Sequence, residues 1–323
     1  MNHRPSLTRR TLLGGVAAGL ALPALAQSDK PVRFILPNAT GSGVDTITRS
    51  AQGALARALG RPVIIDNQPG AGGIVGLQAL ARSAPDGSTF GIVSNNVVIF
   101  PSVMKSLTFD MPGDFTPIAV VGYTPVVLVV NAKVSATNAK EFIALLKSRN
   151  GEMTYASGGN GTILHLASAM FLDETRTTAR HIPYKGVGPM INDLLGGQVD
   201  FATAALPSVQ AHLKAGTLRA IGMATAQRAA AAPEIPTFVE QGVPGYVVEA
   251  WFAVIAPKGL PAAEVQRAHA AMVAAFGDVD VKEAMAKQGN VISVGPADKA
   301  MPFFRSELAK YAQLVKKAGV EAQ

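Results

Sequence analysis

Ser157 and His165 stand eight residues apart across a polar glycine loop, Ser157-Gly158-Gly159-Asn160-Gly161-Thr162, and could face one cleft. As nucleophile and base they would support acyl transfer. The rest of that machinery is missing. Tyr155 and Ala156 precede Ser157, so there is no G-x-S-x-G elbow, and the chain contains no cysteine. A single histidine one turn into a helix usually packs or caps. Beyond residue 26 the histidines are His165, His181, His212 and His269, with no His-x-x-x-His or His–carboxylate cluster that would hold a metal.

A different chemistry is suggested by Phe34 to Arg49, FILPNATGSGVDTITR. An apolar run ends at Leu36, Pro37 stops it, and Gly41-Ser42-Gly43 forms a loop that can bend tightly. Ile47, Ala51, Leu55 and Ala58 then recur at helical spacing. Strand, glycine loop and helix together aim unpaired backbone N–H groups, at the positive end of a helix dipole, into the loop. The loop has no Lys or Arg, so an anion there would be held by neutral donors, which favours a carboxylate over a triphosphate. An ordinary βα turn whose glycines serve only the bend accounts for this stretch equally well. No Gly-Lys-Ser/Thr follows, and Thr46 stands three after Gly43, so neither a P-loop nor G-x-G-x-x-G is present.

The elements that must position these loops alternate. Val63-Ile64-Ile65 reads as a short buried strand, Asn67 to Gly73 as a second glycine-rich turn, and Ile74 to Ala81 as a helix. Thr89 to Val93 is a strand ending in the polar Ser94-Asn95-Asn96. Pro125 to Asn131 is the most apolar strand. A second series follows: helix Ala139–Lys147, strand Met153–Tyr155, the Ser157–Thr162 loop, and helix Ile163–Phe171. Strands Thr178–Pro183, Val199–Thr203 and Leu218–Met223 continue it, Tyr184-Lys185-Gly186 opening a helix after the first. A loop rich in Ala, Pro and Gly spans Ala229–Pro244. Strand Val247–Ala256, a helix from Pro261, and a last helix with Phe304, Leu308, Tyr311 and Val315 on one face close the chain. Such alternation predicts an α/β fold with mostly parallel sheets flanked by helices, and ligands outside the C-terminal strand ends.

The chain has 323 residues, enough for two domains, with 48% hydrophobic and 16% charged residues. Its formal charge is +7, but residues 1–26 hold Arg4, Arg9 and Arg10 and no acid, which leaves +4 for the rest. The remaining basic residues are scattered without an aromatic stripe, which excludes a nucleic-acid surface. Residues 1–26 read as a targeting segment. Thr8-Arg9-Arg10-Thr11-Leu12-Leu13 resembles the twin-arginine export signal, an apolar run reaches Leu22, and Ala24-Leu25-Ala26 is a small-x-small cleavage site. The run is too short to span a bilayer, so a periplasmic protein is expected.

Several phrases then match one family in order along nearly the whole mature chain. They include DNQPGAGG at Asp66–Gly73, LTFDMPGDFTPIA at Leu107–Ala119 and TYASGGNGTILHLA at Thr154–Ala167. HIPYKGVGP at His181–Pro189, PEIPTFVEQGVPGY at Pro233–Tyr246 and WFAVIAPKGLP at Trp251–Pro261 continue the match. The chain resembles the tripartite tricarboxylate transporter receptors, extracytoplasmic solute-binding proteins also called Bug receptors. The resemblance implies a two-lobed binding protein of the Venus flytrap, type II-like, with no cofactor and no catalysis. Its lobes would be 27–128 plus 249–323, and 129–248, hinged near 125–131 and 247–256.

Its partners would be a small carboxylate and membrane transporter subunits, the receptor itself being a monomer. Contacts carried over from the family are Ala39, Thr40, Gly41, Ser42, Gly43 and Asp45 in one lobe. Ser157, Gly158, Asn160, Gly161, Thr162 and His165 serve in the other, and Tyr184, Thr203, Ala204 and the strand-end Ser94 are further expected contacts. Three positions depart from the family pattern. Asn38 replaces an aromatic residue, Ser42 replaces a glycine, and Ala204-Ala205 lacks polar groups that many relatives carry. Readings from other classes are a sensor module for a membrane kinase and a secreted hydrolase using Ser157 and His165.

Overall fold

Val32–Leu36 forms β1, buried at every position but Arg33, because helices cover both faces of its sheet. The computed structural model describes residues 30–322; the targeting segment read over 1–26 and its cleavage site lie outside them. After β1 come α1 (Gly43–Leu59), β2 (Val63–Asn67), a 3-10 turn at Ala71–Gly73, α2 (Ile74–Ala81), β3 (Thr89–Ser94), α3 (Asn96–Val103) and β4 (Phe115–Thr124). Pro125 separates β4 from β5 (Val126–Asn131), where the chain enters a second sheet. That part holds α4 (Ala139–Arg149), β6 (Thr154–Ser157), α5 (Ile163–Thr175), β7 (Arg180–Pro183), α6 (Val187–Gly196), β8 (Phe201–Ala205), α7 (Leu206–Lys214) and β9 (Leu218–Met223). The chain returns to the first sheet as β10 (Ala250–Pro257), followed by α8 (Ala262–Gly277), α9 (Val279–Lys287), β11 (Val291–Ile292) and α10 (Ala297–Lys317).

The first sheet has the order β11-β4-β10-β3-β1-β2 and the second β7-β6-β8-β5-β9. In the first, β1 pairs parallel with β2 and β3, while β10 runs antiparallel to both β3 and β4. In the second, β6 pairs parallel with β7 and β8, and β5 runs antiparallel to β8 and β9. Both sheets are therefore mixed rather than mostly parallel. The antiparallel strands β4, β5 and β10 flank the two passages between the sheets. They enter without the helical crossover that forces parallel pairing.

Three further differences from the sequence reading have local causes. β2 is an edge strand, and Ile64 is 48% exposed, so Val63-Ile64-Ile65 is not buried throughout. The unexpected helix α3 is apolar on nearly every side, which erases the periodicity that marks a surface helix. The unexpected strand β4 carries Pro117 and Gly122, residues that usually speak against a central strand. Pro117 sits opposite Ile255 beside a register shift, and a Cβ on Gly122 would stand 2.1 Å from the Val291 carbonyl oxygen. On α10, Phe304, Tyr311 and Val315 are buried as expected, and Leu308 only partly.

Candidate functional site

The C-terminal ends of β1, β3, β6, β7 and β8 all meet one cleft between the two sheets, of about 880 Å³ including its open mouth. Residues at the N-termini of α1, α3, α5, α6 and α7 line it, as does the Pro69–Gly73 turn before α2. Each helix brings initial N–H groups that have no intrahelical acceptor. Ser42 caps α1 by accepting from the Asp45 N–H at 3.3 Å, and Thr162 caps α5 by accepting from the His165 N–H at 3.3 Å. α6 and α7 have no side-chain cap. Lys185, exposed at the mouth, is the sole charged side chain among the lining residues and makes no ion pair among the described residues.

The loop after β1 is held from below. The Asp45 carboxylate accepts from Gly41 N–H at 2.9 Å, Arg49 Nε at 2.9 Å and Asn67 Nδ2 at 2.9 Å. Burial alone would raise its pKa, but the hydrogen bonds from Arg49, Gly41 and Asn67 outweigh it and hold the carboxyl below the usual range. The loop after β6 is held by two imidazoles. Ser157 Oγ lies 3.0 Å from the Gly159 carbonyl oxygen and 2.7 Å from His181 Nε2, and Gly161 N–H donates to His165 Nδ1 at 3.2 Å. The two rings stack at 3.9 Å, 7° from parallel, and Tyr155 stacks on His181 at 4.8 Å. Burial depresses both pKa values, to about 4 for His165 and about 3 for His181, which His165 lowers further, so both rings are neutral at pH 7.

The two sides touch across the cleft. Ile163 N–H donates to Asn96 Oδ1 at 2.7 Å, and Ser208 Oγ donates to the Gly41 carbonyl at 3.4 Å. A Cβ on Gly43 would meet that of Ala205 at 3.3 Å, and one on Gly186 would meet Ala39 at 3.0 Å. Glycine at these two positions lets the backbones of the two sides approach closely.

This geometry matches known proteins over nearly its whole length. The model of the tripartite tricarboxylate transporter family receptor matches residues 47–320. Protein BugT of Bordetella pertussis (strain Tohama I) is 33% identical over 98% of this chain and 99% of its own. The chain belongs to the tripartite tricarboxylate transporter receptor family. The periplasmic binding protein BugD superposes on the receptor with a TM-score of 0.86 at 29% identity, over 91% of this chain and 99% of that one. The R. palustris protein Rpa4515, solved with adipate, gives 0.87 at 28% identity, over 91% and 98%. The fold is thus the two-lobed α/β architecture of periplasmic binding proteins.

In the receptor, Ala39, Ser42, Gly43, Ser94, Gly158 and Thr162 line the cleft. The other sequence candidates stand behind it or turned from it. Thr40 and Gly41 are exposed beside the loop, and Asp45 and Gly161 support their loops from beneath. Ser157 is completely buried with His181, not His165, as its imidazole neighbour, and neither ring lines the cleft. Tyr184 donates its hydroxyl to Asp193 at 2.7 Å, and Thr203 donates to the Leu164 carbonyl at 2.6 Å. Ala204 is buried while its neighbour Ala205 lines the cleft; Asn160 is absent from the lining. Lining residues outside the sequence candidates include Pro69–Gly73, Asn96, Lys185–Val187 and Ser208. A glycine-rich turn at a strand end was the visible signal for the first of these and the polar Ser94-Asn95-Asn96 strand end for Asn96, whereas Ser208 carried none.

Proposed function

We propose that the receptor captures a small carboxylate in this cleft and presents it in the periplasm to the membrane subunits of a tripartite tricarboxylate transporter. The observation that carries the reading is the convergence of helix N-termini from both sheets on a space lined by neutral donors and one lysine. Such a site favours negative charge. The similar protein solved with adipate supports the same ligand class. The contacts assigned are Ala39, Ser42, Gly43, Ser94, Gly158 and Thr162 from the sequence, joined by Gly72, Asn96 and Val187. Residues 27–128 with 249–323 act as one lobe and 129–248 as the other, the passages at Pro125 and before Ala250 being the hinge. Ligand touches both lobes only when they are closed, so binding shifts the population to the form a transporter recognises. Turnover has no place in this reading, because Ser157 is sealed from the cleft. Native mass spectrometry of the protein purified from periplasm tests it. A retained small carboxylate, or uptake of one from a mixture, is expected; retention of a sugar or a cation instead would overturn it.

A further inference from the structure

The cleft's side chains divide unevenly between donors and acceptors. Thr124 donates its hydroxyl to Asn290 Oδ1 at 2.5 Å, Thr162 donates to the Gly159 carbonyl at 2.8 Å, and Asn96 Oδ1 is taken by Ile163 N–H. What remains uncommitted among the described side chains of the lining leans toward donors: the Lys185 ammonium, the Asn96 Nδ2 group, the Ser42 and Ser94 hydroxyls, and both ends of the Asn38 amide. A carboxylate only accepts hydrogen bonds, so this inventory fits it; a ligand hydroxyl must also donate, and the lining offers no carboxylate to receive it, only Asn38 Oδ1 and serine hydroxyl oxygens among its described side chains.

The rest of the lining is apolar. Ala39, Val187 and Ala205 keep partly exposed apolar surface in it and Val44 and Ile163 a little, while Val126 and Phe252 lie sealed beneath. β8 contributes Ala205, a methyl group where a serine would have given an acceptor. With one lysine, the third charge of a tricarboxylate would be stripped of water and left without a partner.

Resting on the carboxylate reading above, we infer that the receptor selects acids with an unhydroxylated hydrocarbon body and at most two carboxylates. The first carboxylate sits on neutral donors, the body lies against Ala39, Val187 and Ala205, and a second carboxylate is met by Lys185. Hydroxylated and tricarboxylic acids are disfavoured because their extra polar groups lose water without replacement. An apolar pocket rejects added hydroxyls by at most about a hundredfold each, which sets the scale of the effect.

Calorimetry with matched acids tests this. Adipate and galactarate share a six-carbon dicarboxylate chain and differ by the hydroxyls of the latter; hexanoate lacks the second carboxylate; citrate adds a third. Adipate is expected to bind at least tenfold more tightly than galactarate or citrate. Lys185→Met is expected to bring the adipate-to-hexanoate affinity ratio close to one, and Ala205→Ser to narrow the adipate-to-galactarate gap. Galactarate or citrate binding as tightly as adipate would overturn the inference while leaving a carboxylate receptor standing. An unchanged adipate-to-hexanoate ratio in Lys185→Met would overturn the role of the lysine. Binding of none of the four, alongside a retained non-carboxylate in the native spectrum, would overturn the carboxylate reading itself.

Discussion

Asp45 places a carboxylate just behind a loop that is asked to hold an anion, and its neighbours explain why this does no harm. Its charge is spent on Gly41, Arg49 and Asn67, so it shapes the loop without repelling a ligand. Thr162 works similarly on the other side. Removing its hydroxyl in Thr162→Ala deletes an N-cap worth about 1 kcal/mol of folding stability, to be read as a lower Tm in scanning calorimetry, with a smaller loss of affinity because the hydroxyl is already committed to Gly159 and His165. Thr162→Ser should retain most of the wild-type value in calorimetry. The stacked histidines give a pH prediction. Their pKa values are depressed in the fold, to about 4 and about 3, so the unfolded chain binds more protons below its own value of about 6.5. Their contribution is complete above about pH 6.5 and is lost as pH falls toward 3. The Tm should drop over that range, and less steeply in a His165→Gln/His181→Asn variant; parallel curves would remove the pair from the explanation. At this scale the sequence disclosed which loops matter but not which atoms face the cleft. Ser42 and Thr162 were legible because caps are local. The inward turn of Ser157 depends on His181, a contact 24 residues away that no short motif encodes.

Among the elements, the glycine loop before α5 sets how closely the two sides approach. Gly161 has φ +70°, and a Cβ there would stand 2.2 Å from Cγ2 of Val103 at the end of α3. Gly161→Ala should therefore weaken ligand binding more than Thr162→Ala, by straining the loop and wedging α3 from α5. Equal effects in the two variants would show that the loop yields freely. The second passage between sheets is fastened by α10. Trp251 Nε1 donates to Glu307 at 2.6 Å, Trp251 N–H donates to Asn95 Oδ1 at 2.8 Å, and Asn95 Nδ2 lies 2.5 Å from the Tyr311 hydroxyl. The sequence showed α10 as a brace through its apolar face, since that pattern is periodic. It did not show Glu307 as the buried partner of Trp251, because a charge on a helix reads as solvent-facing until its neighbour is known. α3 and β4 were illegible for opposite reasons. One is apolar all round, and the other carries a proline and a glycine that are tolerated beside a bulge and a close strand.

For the whole molecule, the proposal requires motion about the two passages and an address outside the cytoplasm. Ligand should lower the radius of gyration in solution scattering; an unchanged value at saturation would point to a rigid site or one confined to a single lobe. Lys in place of Arg9 and Arg10 should leave precursor in the cytoplasm, whereas normal periplasmic yield would indicate the general secretion route. Among the described residues no helix is long and apolar enough to cross a membrane. The central claim is that one carboxylate is held between the lobes by neutral donors from both. A crystal structure of the receptor grown with adipate tests it most directly. One carboxylate is predicted within hydrogen-bond reach of N–H groups at the starts of both α1 and α5, its chain against Val187 and Ala205. Adipate bound to one lobe only, or held chiefly through Lys185, would contradict the account.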